Sequence, residues 1–291
     1  GNISQPPQFT DAANDDFTLQ WGSWNIDTGQ VVAGYGVTVD IDEAARVQGP
    51  GTDIGAFEYA GPTDDCDGVD DGPQCAVGCP VYVDPTVLPG GNGGVGTPFP
   101  NIRYAQAYRK GCTDVILKPG TYDELFDFGG EDFYLHSESG AAVTILNPAV
   151  TTTAVTVKSG ETSAAIIEGL TITGSQIGID IDGASPTIRD CIITGNSGSS
   201  GAGVRAVGYS GTFSGNTVSF NHGTSYGGGM FVTGGSPTIT GNWFEGNDVS
   251  FSPHNGVECA CDGNLFIDNV ASDSNYGFWL GGSDWVELSG N

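Results

Sequence analysis

Basic residues are scarce: 8 Lys and Arg stand against 35 Asp and Glu in 291 residues, a formal net charge of −27. Nucleic-acid binding depends on clustered cations that release counter-ions from phosphates, so no nucleic-acid partner is expected, and attachment to anionic lipid is disfavoured for the same reason. No apolar run approaches the roughly 18 residues of a membrane-spanning helix, and residues 1–10 have neither the basic start nor the apolar stretch of a secretory leader. Membrane insertion is therefore not expected. The seven Cys form neither a CxxCH motif nor two CxxC pairs, which argues against haem attachment and zinc ribbons. There is one Met. What is plentiful is Gly, at 48 residues, together with Thr, Val, Ile and Asn, and the 14 Phe, 10 Tyr and 5 Trp suffice for a core. That mixture suits short strands and tight turns, so the expected class is all-β. High acidity with several Cys beside Gly-rich turns points to an oxidising, extracellular or cell-surface setting.

The chain repeats itself. Ser185-Pro186-Thr187-Ile188 leads through Cys191-Ile192-Ile193 to Gly195-Asn196, and Ser236-Pro237-Thr238-Ile239 leads through Asn242-Trp243-Phe244 to Gly246-Asn247, at an offset of 51 residues. Ser210-Gly211-Thr212-Phe213, Asn216-Thr217-Val218 and Phe220-Asn221 fall between them in the same frame. Asn264-Leu265-Phe266-Ile267-Asp268-Asn269 adds another copy. The ladder Asn196, Asn221, Asn247, Asn269 advances by 25, 26 and 22 residues, and a second ladder follows Gly178, Gly203, Gly229, Gly256 and Gly277. Each Gly opens a short β-branched or aromatic segment. A period near 22–27 residues filled with three- to five-residue alternations is the signature of a solenoid coil made of strands. In a parallel β-helix such coils stack at about 4.8 Å, and an Asn repeated at one turn can bond its amide to the Asn of the next coil. Gly203 and Gly229 mark bends without room for a side chain.

These motifs resemble the secreted right-handed parallel β-helix repeat proteins of the pectate-lyase-like superfold. The segment from Val81-Tyr82-Val83-Asp84 through Thr97-Pro98-Phe99-Pro100-Asn101-Ile102 to Val115-Ile116-Leu117-Lys118-Pro119-Gly120 is similar to that family's amino-terminal cap. The resemblance implies a right-handed parallel β-helix over residues 80–291, closed at its start by a short capping helix at residues 102–110. Residues 1–60 instead resemble the segment that closes such β-helices at the carboxyl end, here placed first. Leu288-Ser289-Gly290-Asn291 matches Ile239-Thr240-Gly241-Asn242, and Gly1-Asn2-Ile3-Ser4 would continue the coil. The expected organisation is a closing segment of a neighbouring β-helix at 1–60, an acidic joint at 61–79, and a cap with coils at 80–291. A circular permutation, a fragment of tandem domains and one period of a polymer all satisfy that order. In the tandem or polymeric arrangement the interface is expected at Phe9, Phe17, Trp21, Leu288 and Asn291.

Asp64, Asp65, Asp67, Asp70 and Asp71 place five carboxylates within eight positions among glycines, a hard-oxygen set suited to calcium. The run resembles thrombospondin type 3 calcium repeats, and the alternative is a solvated acidic linker. Cys66 and Cys75 flank this loop, and Cys79 and Cys112 would tie joint to cap; these are the candidate disulfides, connectivity not being readable from sequence. Cys191 occupies a position where an inward apolar residue is expected. Asp64-Asp65-Cys66 also resembles a polygalacturonase carboxylate pair, but no Gly-His-Gly or Arg-Ile-Lys accompanies it. Asp180 and Asp182, with Arg205 one coil on and Arg189 nearby, form the best lyase-like set, with a surface ion pair as the alternative. His136, His222 and His254 fall in unrelated frames and are read as turn residues rather than a triad. Trp243, Trp279 and Trp285 suit either glycan stacking or interior filling. The leading functional expectation is a non-catalytic extracellular structural or adhesive module, a unit of a tandem array or filament whose partners are copies of itself or adjacent domains, with glycans as a further ligand class. The alternative is a polysaccharide lyase or glycoside hydrolase on the same fold.

Overall fold

The computed structural model describes residues 79–88, 91–109, 111–148 and 152–250, together with the backbone of seven further strands: Phe9–Asp11, Asp16–Leu19, Val257–Ala260, Asn264–Ile267, Val270–Ala271, Phe278–Leu280 and Val286–Ser289. The acidic joint with Asp64, Asp65, Asp67, Asp70, Asp71, Cys66 and Cys75 lies outside these residues, as do Trp21, Asn269 and Asn291. Phe9–Asp11 and Asp16–Leu19 pair as an antiparallel two-stranded sheet.

From Val81 onward the chain is a right-handed parallel β-helix. Short strands visit sheets in fixed order, and each strand pairs in parallel with its counterpart one coil before and one coil after. Sheet 1 runs from Val81–Val83 to Val286–Ser289, sheet 2 from Gly120–Tyr122 to Val270–Ala271, and sheet 3 from Phe126–Asp127 to Phe278–Leu280. A three-stranded sheet 4, made of Ser197–Ser200, His222–Tyr226 and Asp248–Val249, is inserted between sheets 2 and 3.

Strand alternation sends one side chain in two to the axis. The inward row of sheet 1 is Val115, Leu135, Ile167, Ile188, Phe213 and Ile239, in register from coil to coil and each 0% exposed. Tyr122, Leu146, Ile172, Ile193, Val218 and Phe244 form the matching row of sheet 2. A single coil cannot bury such a row, whereas stacked coils bury it on both sides, at about 1.5–3 kcal/mol per large side chain. Subtracting successive residue numbers in the sheet 1 row gives coil steps of 20, 32, 21, 25 and 26 residues. The range is wider than the 21–27 read from sequence. Most of the extra residues of the 32-residue coil sit in two turns that are tied down by hydrogen bonds. Ser137 Oγ accepts from Gly140 N (2.8 Å), and the buried Glu161 carboxylate accepts from Ser159 N (2.8 Å) and Gly130 N (2.9 Å).

The cap helix spans Ile102–Tyr108, ending two residues earlier than expected, and buries Ile102 and Ala105. Asn101 caps it through Oδ1, which accepts from Tyr104 N at 2.8 Å. The Glu124 carboxylate accepts from Ile102 N (2.8 Å) and Arg103 N (3.2 Å), fixing the helix to the first coil. Cys79 and Cys112 form a disulfide that closes a loop of 33 residues around the cap.

Candidate functional site

Buried polar side chains are concentrated at the two edges of sheet 2, where the chain turns sharply. At the edge leading to sheet 4, Asn221 Oδ1 accepts from Asn196 Nδ2 (3.0 Å) and Asn196 N (3.1 Å), while Asn221 Nδ2 donates to Asn247 Oδ1 (3.0 Å) and to the Ile193 carbonyl (2.9 Å). Ser175 Oγ donates to Asn196 Oδ1 and closes the column at its lower end. At the edge leading from sheet 1, Asn216 Nδ2 donates to Asn242 Oδ1 (3.0 Å), and Cys191 N donates to Asn216 Oδ1 (3.0 Å). There are thus two asparagine columns, and Asn196, Asn221 and Asn247 of the ladder read from sequence share one of them. Pairing of Thr240 with Ile267 and of Trp243 with Val270 makes Asn269 the sequence counterpart of Asn242, not of Asn247. Cys191 is buried in the core as expected, at the position that Leu170 holds one coil before and Asn216 one coil after. Burial pushes its thiol up to about 12, so it is an inert filler.

The residue before each asparagine takes the left-handed conformation. At the edge toward sheet 4 these residues are Gly195 (φ 66°), Phe220 (φ 52°) and Gly246 (φ 60°), so Phe220 holds a position that glycine occupies on both sides of it. Its ring is 64% exposed and lies against Gly246. Gly203 meets the other demand on glycine, close approach: a Cβ there would fall 2.3 Å from the Gly229 carbonyl oxygen.

The outer faces carry three groups of titratable side chains. On sheet 1, Tyr134 Oη donates to Glu168 Oε2 (2.5 Å), Arg189 Nε donates to the same oxygen (2.6 Å), and His136 Nε2 lies 2.8 Å from Asp114 Oδ1 with its ring stacked on Tyr134. Partial burial raises the Glu168 carboxyl, but the bonds from Tyr134 and Arg189 outweigh it and hold the carboxyl below its ordinary range. Tyr134 is shifted upward by partial burial and by its bond to Glu168, and therefore stays a phenol. Arg189 is raised by its bonds to Tyr134 and Glu168. On sheet 3, Asp180 is 4% exposed although it points away from the axis, because Lys158 Nζ (2.5 Å) and Arg205 Nη1 (2.7 Å) cover its two oxygens from neighbouring coils. Arg189 belongs to a different sheet and takes no part, so the set read from sequence reduces to Asp180 with Arg205, joined by Lys158.

On sheet 4, His222 Nδ1 lies 2.7 Å from Asp248 Oδ1, its partner in register, and Nε2 lies 3.2 Å from Ser250 Oγ. His136 and His222 are thus strand residues and not turn residues. His254 and Trp285 lie outside the described residues. Trp243 is 43% exposed, so it does not fill the interior; Phe244, its neighbour, does. Among the described residues no group of three or more His, Cys, Asp or Glu is placed to hold a metal, and no helix is long and apolar enough to cross a membrane.

Residues 134–291 match the family described as the right handed beta helix region. The chain belongs to this right-handed β-helix family. No curated protein matches the sequence. Two solved structures are similar at 10% identity each: pectin methylesterase PemA from Erwinia chrysanthemi, with a TM-score of 0.38, and a pectin methylesterase in complex with hexasaccharide VII, with a TM-score of 0.36. Each match covers 67% of this chain and 66% of the other, so the chain spans just under two thirds of their length.

The sheet 1 group escaped sequence reading because Tyr134 and Glu168 meet across the 32-residue coil, which breaks the visible period, while Arg189 is the register partner of Glu168 one coil on. The second asparagine column did leave a signal, a Gly-Asn dipeptide at 215–216 and again at 241–242.

Proposed function

We propose that this β-helix is a structural and adhesive module of the cell surface or extracellular space, one unit of a tandem array or head-to-tail filament. The observation that carries this reading is the pairing of charges on sheets 1 and 3. A glycoside hydrolase needs two carboxylates facing one cleft, and a lyase needs a base free to take a proton. Here both oxygens of Asp180 are occupied by cations, and Glu168 is held by a phenol and a guanidinium. These groups tie coils together sideways, as the asparagine columns do at the edges of sheet 2. Assembly is supported by the sequence match between 288–291 and 239–242, which gives the last residues the pattern of a coil. Asp64, Asp65, Asp67, Asp70 and Asp71 would bind calcium and stiffen the joint between units.

The test is incubation of the protein with a panel of neutral and uronate-containing polysaccharides, with absorbance of unsaturated uronates and reducing ends as the readouts. No product is expected. Product that disappears in D180N or E168Q would establish the lyase or hydrolase alternative instead.

A further inference from the structure

We infer that Ser250, His222 and Asp248 form a nucleophilic site on sheet 4 that acts on carboxylic esters. The three side chains come from adjacent coils: His222 opens the strand His222–Tyr226, and Asp248 and Ser250 stand two residues apart on the next coil. Strand register sets Asp248 directly against His222, and the bond from Ser250 N to the Gly223 carbonyl (3.0 Å) fixes the backbone beneath the serine. The two ring nitrogens have different partners. Asp248 lies 2.7 Å from Nδ1 and, being an acceptor, selects the tautomer with its proton on Nδ1. Nε2 is then the acceptor, 3.2 Å from Ser250 Oγ, which is the arrangement a serine nucleophile requires of its base.

Phe220 is a second, independent mark on the same place. A non-glycine residue in the left-handed region costs about 1–3 kcal/mol and persists where the surroundings hold it. Phe220 is two residues before His222, and its exposed ring rests on Gly246, two residues before Asp248. The strained position thus presents an apolar surface at the corner where the strands of His222 and Asp248 begin. With His222 40% and Asp248 63% exposed, the site is open, and it suits an ester carried on an extended chain lying along the sheet.

Ser250 Oγ attacks the acyl carbon while its proton passes to His222 Nε2. The bond from acyl carbon to alcohol oxygen breaks as His222 returns that proton to the leaving alcohol. Water then gives a proton to His222 and its hydroxyl to the acyl carbon, the bond to Oγ breaks, and the proton returns to Ser250. The balance is ester plus water to acid plus alcohol.

The experiment treats the full chain with a fluorophosphonate probe, maps the labelled residue by mass spectrometry, and follows p-nitrophenyl acetate hydrolysis. Labelling is expected at Ser250, with none at that position in S250A and at least 100-fold slower labelling in H222A. S197A should label like the unaltered protein, since Ser197 pairs with His222 in register from the other side but makes no bond to it. Circular dichroism confirms that each variant is folded. Absence of labelling at Ser250, or labelling of folded H222A at the unaltered rate, would overturn the assignment.

Discussion

Replacing Asn221 with Ala should cost more than any surface change, because one amide serves three coils. Asn221 is 0% exposed. Its loss leaves Asn196 N–H without the acceptor at 3.1 Å and the Ile193 carbonyl without the donor at 2.9 Å, and it cuts the links at 3.0 Å to the amides of Asn196 and Asn247. An orphaned buried polar group costs about 1–3 kcal/mol, so two of them, with the void left by the side chain, put the loss at about 3–5 kcal/mol. Coil stability is a nearest-neighbour quantity, and the damage should centre on the coils either side of the change. Urea unfolding followed by circular dichroism measures the total. Amide exchange at Asn196 and along sheet 2 locates it. N221D should be at least as damaging, since a carboxylate can accept from Asn196 but cannot donate to Ile193 or Asn247. A loss under about 0.5 kcal/mol, with unchanged exchange at Asn196, would refute the view that the columns hold the stack together.

The turn at Phe220 gives the opposite sign: F220G should stabilise by about 1 kcal/mol in the same urea assay, because glycine takes φ 52° without strain and the exposed ring contributes little burial. Burial raises the Glu124 carboxyl to about 7 from an ordinary 4.5, against the two helix N–H bonds that favour its charge. The folded state therefore keeps a proton that the unfolded state has released, so stability falls as pH rises from about 4.5 to about 7 and is level above. The fall from this group is about 3 kcal/mol at most, and E124Q should flatten it in melts taken across that range. Removing the Cys79–Cys112 bond by C79S/C112S should cost about 3–4 kcal/mol by the chain entropy of a 33-residue loop, read as a lower urea midpoint.

The fold was legible because each coil spells its strands and turns in sequence: Ser-Pro-Thr-Ile leads into sheet 1, a Gly-Asn pair closes a corner, and a β-branched triplet lines sheet 3. Two features were harder to read. Coil length varies where turns are tied by side chains, as by Ser137 and Glu161, and the 22-residue step from Asn247 to Asn269 hides the 27-residue step that makes Asn269 the sequence counterpart of Asn242. Contacts between side chains of different coils depend on that register, which is why the partners of Glu168 and the meeting of His222 with Ser250 were not visible in any local motif. Asp180 with Arg205 was within reach, because both fall two residues after a Gly of the ladder from Gly178 to Gly203.

Head-to-tail assembly is central to the proposed structural role. Sedimentation velocity and negative-stain electron microscopy of the full chain over a wide concentration range, beside a chain lacking residues 1–60, measure it most directly. Head-to-tail association predicts rods that lengthen with concentration and resist salt, because strand pairing and apolar stacking hold the joints, and it predicts that the shortened chain forms no rods. A full chain that stays a single short particle at every concentration, indistinguishable in length from the shortened one, would contradict it.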